Sequence, residues 1–335
     1  MGVQPMRYNL LAVDPAEYQS HALHAGEVDW AETNCATDMW IEILHTWRLD
    51  PVAGLAFTVG TDFDGEQWVM YTYPEEDLRI LYGIEVHELN VWKPLVEHLE
   101  DHLRLGHLVA VDVDAYHLPD TEGVTYGIAH QKTTIAVQML DREARSMGYF
   151  HNAGYAELSG FDFDGILHLG SHADPMAVAM PPFAATIRLD GIRLDPPDLA
   201  ELVRQRLSAH LARRPVDNPV SRLAKRMTDD LSDIASAGMD AFHRYAFGSC
   251  RHLGANGELA EAFCTWLARH DPGADRAALG EAAQHYRSIS EGAKAAEFTL
   301  ARAARGRAVD LQAVMAPLES AWDQAVAILD ARYGT

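Results

Sequence analysis

The 335-residue chain is poor in cysteine, in positive charge and in long apolar runs, and each shortage excludes a class of protein. Its three cysteines, Cys35, Cys250 and Cys264, are too few and too far apart for a disulfide scaffold and point to a reducing compartment. No Cys-x-x-Cys pair occurs, which removes the usual zinc ribbons and thioredoxin-type sites. Against 49 Asp and Glu stand only 27 Lys and Arg, a formal net charge of -22. That field repels nucleic acid and anionic membranes, so neither is expected as a partner. No apolar run is long enough to span a bilayer, and Met1 to Asp14 lacks a basic stretch followed by an apolar one. No signal peptide and a cytoplasmic location are therefore expected. A glycine-rich phosphate loop is also missing. What is present is ordinary globular composition, 48% hydrophobic and 23% charged, with length enough for a sizeable core in more than one domain.

The texture changes near residue 200. Before it, strand-like runs alternate with turns and short helices; after it, Ala, Leu, Arg and Glu recur at helical spacing. The turn Leu194-Asp195-Pro196-Pro197 stops any helix and sets the boundary, giving domains 1–197 and 198–335. In the first, Trp40, Ile43, Leu44 and Trp47 predict a helix over 35–47, with Thr33 or Asn34 as its cap. A second helix is predicted over 94–105 and a strand over 108–113. A loop follows, then a hairpin of strands 130–140 and 147–152 folded about Arg142-Glu143. Beyond residue 197 the spacing predicts helices over 198–213, 220–247, 257–269, 275–305 and 311–333. The fold class is α+β followed by an all-α region.

Cys35 falls at the start of the first helix. Unpaired N–H groups and the helix dipole favour an anion there, so the nucleophilic thiolate is favoured. A backbone N–H or the Asn34 amide at the same place could hold the oxyanion of a tetrahedral intermediate. A thiolate enzyme needs a base, and the base needs an orienting group. His130 opens the first hairpin strand and Asn152 closes the second, one short diagonal away, so Asn152 could fix the imidazole tautomer. Asp112 and Asp114 share one face of the preceding strand and are alternatives for that role, or for binding a divalent ion. Buried free cysteines are commonly inert, a histidine at a strand start is often structural, and Asn is a frequent turn residue. The order Cys, His, Asn is nevertheless that of papain-like enzymes.

The stretches Glu32-Thr33-Asn34-Cys35, Glu88-Leu89-Asn90-Val91-Trp92, His130-Gln131-Lys132-Thr133-Thr134 and Gly148-Tyr149-Phe150-His151-Asn152-Ala153-Gly154-Tyr155 resemble the bacterial domain of unknown function 1839 family over nearly the whole chain. The N-terminal part is similar in motif order to papain-like acyltransferases of the butirosin type and to bacteriocin-processing cysteine peptidases. The resemblance implies a papain-like domain in which a helix bearing Cys35 packs on an antiparallel sheet, with His130 as base and Asn152 as orienting residue. It implies transfer of an acyl or aminoacyl group from a carrier-protein or coenzyme A thioester to a small-molecule amine. Phosphopantetheine would enter with the donor, and no resident cofactor or metal is implied. One departure stands out: papain-like peptidases carry a Gln a few residues before the Cys, and Glu27-Val28-Asp29-Trp30-Ala31 has no amide. That weakens peptidase activity more than thioester chemistry, whose carbonyl is already activated.

Two other readings remain open, a hydrolase using the same three residues and a catalytically silent protein that binds a carrier protein or ligand. The pairs His21/His24 and His98/His102 have metal-ligand spacing without a zincin pattern and read as surface histidines. Asp62-Phe63-Asp64-Gly65 and Asp162-Phe163-Asp164-Gly165 read as turns, and Cys250 and Cys264 as packed thiols.

Overall fold

The structure, a computed structural model, describes residues 7–25, 28–30, 32–173 and 180–334. It divides into two compact units, one of residues 1–24, 34–49 and 78–194, the other of residues 25–33, 50–77 and 195–335. Segments 25–33 and 50–77 thus join the helical unit, although their sequence position puts them in the first domain. The reason is hydrophobic: Pro51–Gly60 forms a 3-10 run in which Leu55, Ala56 and Val59 are wholly buried. Isolated from the helices it would leave that apolar surface in water.

The first unit is built on an antiparallel sheet of β1 (Arg7–Asn9), β2 (Glu85–Glu88), β3 (Leu108–Asp114), β4 (Lys132–Asp141), β5 (Ser146–His151), β6 (Gly154–Ser159) and β7 (Ala184–Arg188). Its order is β2-β7-β3-β4-β5-β6, with β1 paired to the end of β4. The expected β4–β5 hairpin forms, with a register shift between Val137 and Met139. β6 returns through the tight Asn152-Ala153 turn, where Asn152 takes a left-handed φ of 45°. Asn tolerates that conformation better than most residues, which is why the chain reverses there.

Among the described residues the α-helices of this unit are α1 (Cys35–Thr46), α2 (Leu95–Arg104) and α3 (Phe161–Ile166). Asn34 caps α1, its side-chain oxygen accepting the Thr37 N–H at 3.0 Å. Helix α3 replaces the turn expected at Asp162–Gly165, because Phe163 and Ile166, three apart, are both buried in the core. Val109, Val111 and Val113 of β3 and Ile135 and Val137 of β4 join Leu95, Leu99 and Leu103 of α2 in that core. On the opposite face α1 packs along β4, β5 and β6, with Trp47 5.9 Å from the Phe150 ring. Side chains alternate across a strand, so the α1 face is also that of Ala136, paired to Phe150, and of Ala110, Asp112 and Asp114.

The second unit contains α4 (Leu199–Ala212), α5 (Pro219–Ala237), α6 (Met239–Ala246), α7 (His252–His270), α8 (Arg276–Ala304) and α9 (Leu311–Tyr333). The helix expected over 220–247 breaks at Gly238, whose φ of 80° ends α5. A π-helical turn, Phe247–Arg251, leads into α7, which begins five residues before the expected Gly257. Gly257 lies inside that helix because a Cβ there would sit 2.9 Å from the Tyr286 carbonyl of α8. Among the described residues no helix is long and apolar enough to cross a membrane.

Candidate functional site

Cys35 is the first residue of α1 and is partly exposed. Asn34, by contrast, is buried, and both ends of its amide meet Thr37: the oxygen takes the backbone N–H and the NH2 lies 3.2 Å from the hydroxyl. Asn34 is thus engaged in capping, which leaves the backbone N–H groups of the first turn beside Cys35. Of the amide-free stretch before the cysteine, Glu27 and Ala31 lie outside the described residues.

His130 lies just before β4, and its Nδ1 is 2.5 Å from Asp114 Oδ2. The other carboxylate oxygen of Asp114 accepts the backbone N–H of Tyr116 at 3.0 Å and of Gln131 at 3.2 Å. Burial opposes ionisation of Asp114, but the bonds from His130, Tyr116 and Gln131 outweigh it and hold its pKa below the usual carboxylate range. An ionised carboxylate only accepts, so Nδ1 carries a proton, and in the neutral ring Nε2 is the nitrogen left to accept. The ring stacks on Tyr116 at 4.6 Å between centroids, 14° from parallel, while its side chain stays 75% exposed. It borders a cleft of about 440 Å³ lined by Asp112, Asp114, Lys132, Ile166 and Phe183. The imidazole is thus held by Asp114 and Tyr116 at the edge of an open cleft.

The side chain bonded to His130 is therefore that of Asp114, named above as an alternative to Asn152. Asn152 stands in the β5–β6 turn, because β5 ends at His151 and the chain reverses instead of running on toward β4. Asp112 is engaged locally, accepting from the Thr134 hydroxyl at 2.6 Å and from Lys132 Nζ at 3.1 Å. Among the described residues no hydrogen bond joins the Cys35 sulfur to His130. Cys250 and Cys264 are buried, and burial pushes the Cys250 thiol up to about 12 and Cys264 higher.

One member of each histidine pair is enclosed, His24 and His98, while His21 and His102 are half-buried. His24 is held between Asp38 and Glu42 of α1, with its side chain 3% exposed. His98 is buried under Trp92, whose backbone N–H it accepts at 3.3 Å, and burial lowers its basicity. Among the described residues no group of three or more His, Cys, Asp or Glu is arranged to hold a metal ion. His151 was missed as a functional candidate. It is buried on the α2 face, with Nδ1 2.6 Å from Asp120 and Nε2 2.8 Å from the Thr133 hydroxyl. Strand alternation puts His151 and Thr133 on one face, but Asp120 comes from a loop 31 residues earlier, beyond the reach of local pattern.

Against known families, the DUF1839 N-terminal domain matches residues 19–189 and the DUF1839 C-terminal domain residues 197–331. The chain belongs to the DUF1839 family. Both halves of this DUF1839 protein are thereby accounted for, and the gap between the matches falls on the Asp195-Pro196 turn that opens the second helical stretch. No curated protein matches the sequence.

Proposed function

We propose that this DUF1839 protein is a cysteine-dependent acyltransferase whose N-terminal unit works as a papain-like enzyme does. The observation that carries the proposal is the Asp114–His130 pair. It is an imidazole with an oriented tautomer and a free Nε2 at a cleft, anchored on the sheet face that carries the Cys35 helix. The Cys35 sulfur attacks the thioester carbonyl of an acyl or aminoacyl group borne on a carrier protein or coenzyme A. The S–C bond forms, the pantetheine thiolate leaves, and the proton first taken from Cys35 by His130 goes to it. The acceptor amine then attacks the acyl-enzyme, loses its proton to His130, and Cys35 departs as thiolate.

Alkylation tests the coupling of the two halves. Iodoacetamide at neutral pH should modify Cys35 and leave Cys250 and Cys264, which are 1% and 0% exposed, untouched in the folded protein. His130→Ala should slow Cys35 modification about tenfold or more, as loss of a neighbouring base does. Equal rates in the two proteins would separate the thiol from the imidazole and overturn the mechanism. With an aminoacyl-pantetheine thioester, intact-mass spectrometry should show an adduct that Cys35→Ala abolishes and that an added amine discharges faster than water. Discharge indifferent to amine makes the protein a hydrolase instead. Asp114→Asn keeps the shape but lets the ring adopt the wrong tautomer, so adduct formation should fall by about 10²- to 10⁴-fold with folding intact. An unchanged rate would remove Asp114 from the mechanism.

A further inference from the structure

A second constellation lies on the far side of the sheet from α1. The α2 face is apolar, with Val113, Ile135 and Phe163 in its core, yet four polar side chains run through it as one chain. Tyr149 donates its hydroxyl to Asp120 Oδ1 at 2.5 Å, His151 Nδ1 lies 2.6 Å from Asp120 Oδ2, and Thr133 Oγ1 lies 2.8 Å from His151 Nε2. With the carboxylate ionised and the ring neutral, each bond has one direction. The carboxylate can only accept, so Tyr149 and the Nδ1–H donate to it; Nε2 of the neutral ring is then an acceptor, and the Thr133 O–H must donate. The result is a hydroxyl, an imidazole and a carboxylate in series, the order that activates an alcohol nucleophile.

Thr133, Tyr149 and His151 are buried in the apolar layer, which is costly unless their bonds are made, and the chain ends on Asp120, whose side chain is 23% exposed at the edge of that layer. A threonine at mid-sheet needs no such chain, because a backbone carbonyl or a valine in its place would serve packing alone. The tight Asn152-Ala153 turn fixes His151 from one side and Tyr149 locks Asp120 from the other. Val113, the cross-strand partner of Thr133, and Gly165 and Ile166 of α3 line the 440 Å³ cleft, so Thr133 sits one strand pair from its wall.

The geometry points to Thr133 as the nucleophile of a second acyl-transfer site, with His151 as its base and Asp120 as the positioning residue, acting on small carboxylic esters. As the Thr133 Oγ–C bond forms at the ester carbonyl, the hydroxyl proton passes to His151 Nε2. The alkoxide leaves as the ester C–O bond breaks and takes that proton. Water then attacks the acyl-threonine, gives its proton to His151, and releases the carboxylic acid and the Thr133 hydroxyl. Cys35 and His130 take no part, so the site stands or falls independently of the function proposed above.

Thr133 is 7% exposed, which calls for a compact probe. The intact protein treated with a small dialkyl fluorophosphate should acquire one adduct, mapped to Thr133 by peptide mass spectrometry. Labelling should vanish in Thr133→Val, fall about 100-fold in His151→Asn, and persist in Cys35→Ala and Thr133→Ser. Absence of a Thr133 adduct on the folded wild-type protein overturns the site, as does labelling of equal rate in His151→Asn. Should Thr133→Val fail to fold, folded Thr133→Ser without an adduct gives the same negative answer.

Discussion

Replacing Asp77 with alanine should lower the unfolding free energy by about 3–5 kcal/mol, the cost of leaving a buried cation without its partner. Asp77 is wholly buried in the helical unit. One oxygen accepts from Arg206 Nε at 2.6 Å and the other lies 2.6 Å from His210 Nε2, both on α4 and both nearly buried. The two partners are four residues apart, so one turn of helix presents them together to a single carboxylate. Without it the Arg206 guanidinium keeps only Glu76, a carboxylate 52% exposed and screened by water. Glu76→Ala should for the same reason cost about 1 kcal/mol or less. Urea titrations of the two variants decide the matter: the midpoint of Asp77→Ala should drop far more than that of Glu76→Ala, with similar slopes. Equal small losses would mean that the network is hydrated and contributes little.

What the sequence revealed and what it hid follow from the range of the interactions involved. Helix α1 was legible because Trp40, Ile43, Leu44 and Trp47 repeat at 3.6 residues and Asn34 is a strong cap, both local signals. The β4–β5 hairpin was legible because apolar residues alternate on either side of Arg142-Glu143. The hairpin's far end was not: a bulge shifts its register, and Asn152, well suited to a left-handed turn, reverses the chain where a strand end had been expected to meet His130. Asp114 could be named as an alternative because strand alternation put it on one face with Asp112, but only the pairing of β3 with β4 brings it to His130. The Thr133–His151–Asp120 chain was invisible for the same reason. So was the transfer of 50–77 to the helical unit, since Pro51–Gly60 is apolar without period and announces burial but not its partner.

The pH dependence of stability should be dominated by His24. Burial works against its charge, yet hydrogen bonds and attraction from Asp38 and Glu42 outweigh burial and raise it from 6.5 to about 9. Glu42 lies 2.5 Å from Nδ1 and Asp38 3.3 Å from Nε2, both carboxylates wholly buried, so solvent screening is slight. Glu42 also accepts the Tyr18 hydroxyl at 2.5 Å and the His21 N–H at 3.1 Å, which ties the segment before α1 to the helix that bears Cys35. A folded-state value above the unfolded one means that the native protein holds its proton more tightly. The stabilisation is fully present below pH 6.5 and is lost as pH rises through about 9. A shift of this size corresponds to about 3 kcal/mol, so the chemical-denaturation midpoint should fall steeply across that window. His24→Asn has no proton to lose and should be less stable at pH 6, with a nearly flat profile between pH 6.5 and 9. Glu42→Gln removes one of the two anions and should flatten the profile in part. A wild-type midpoint unchanged from pH 6 to pH 9.5 would show that His24 is neutral in the native protein, and that the carboxylates of α1 are then balanced by some other group.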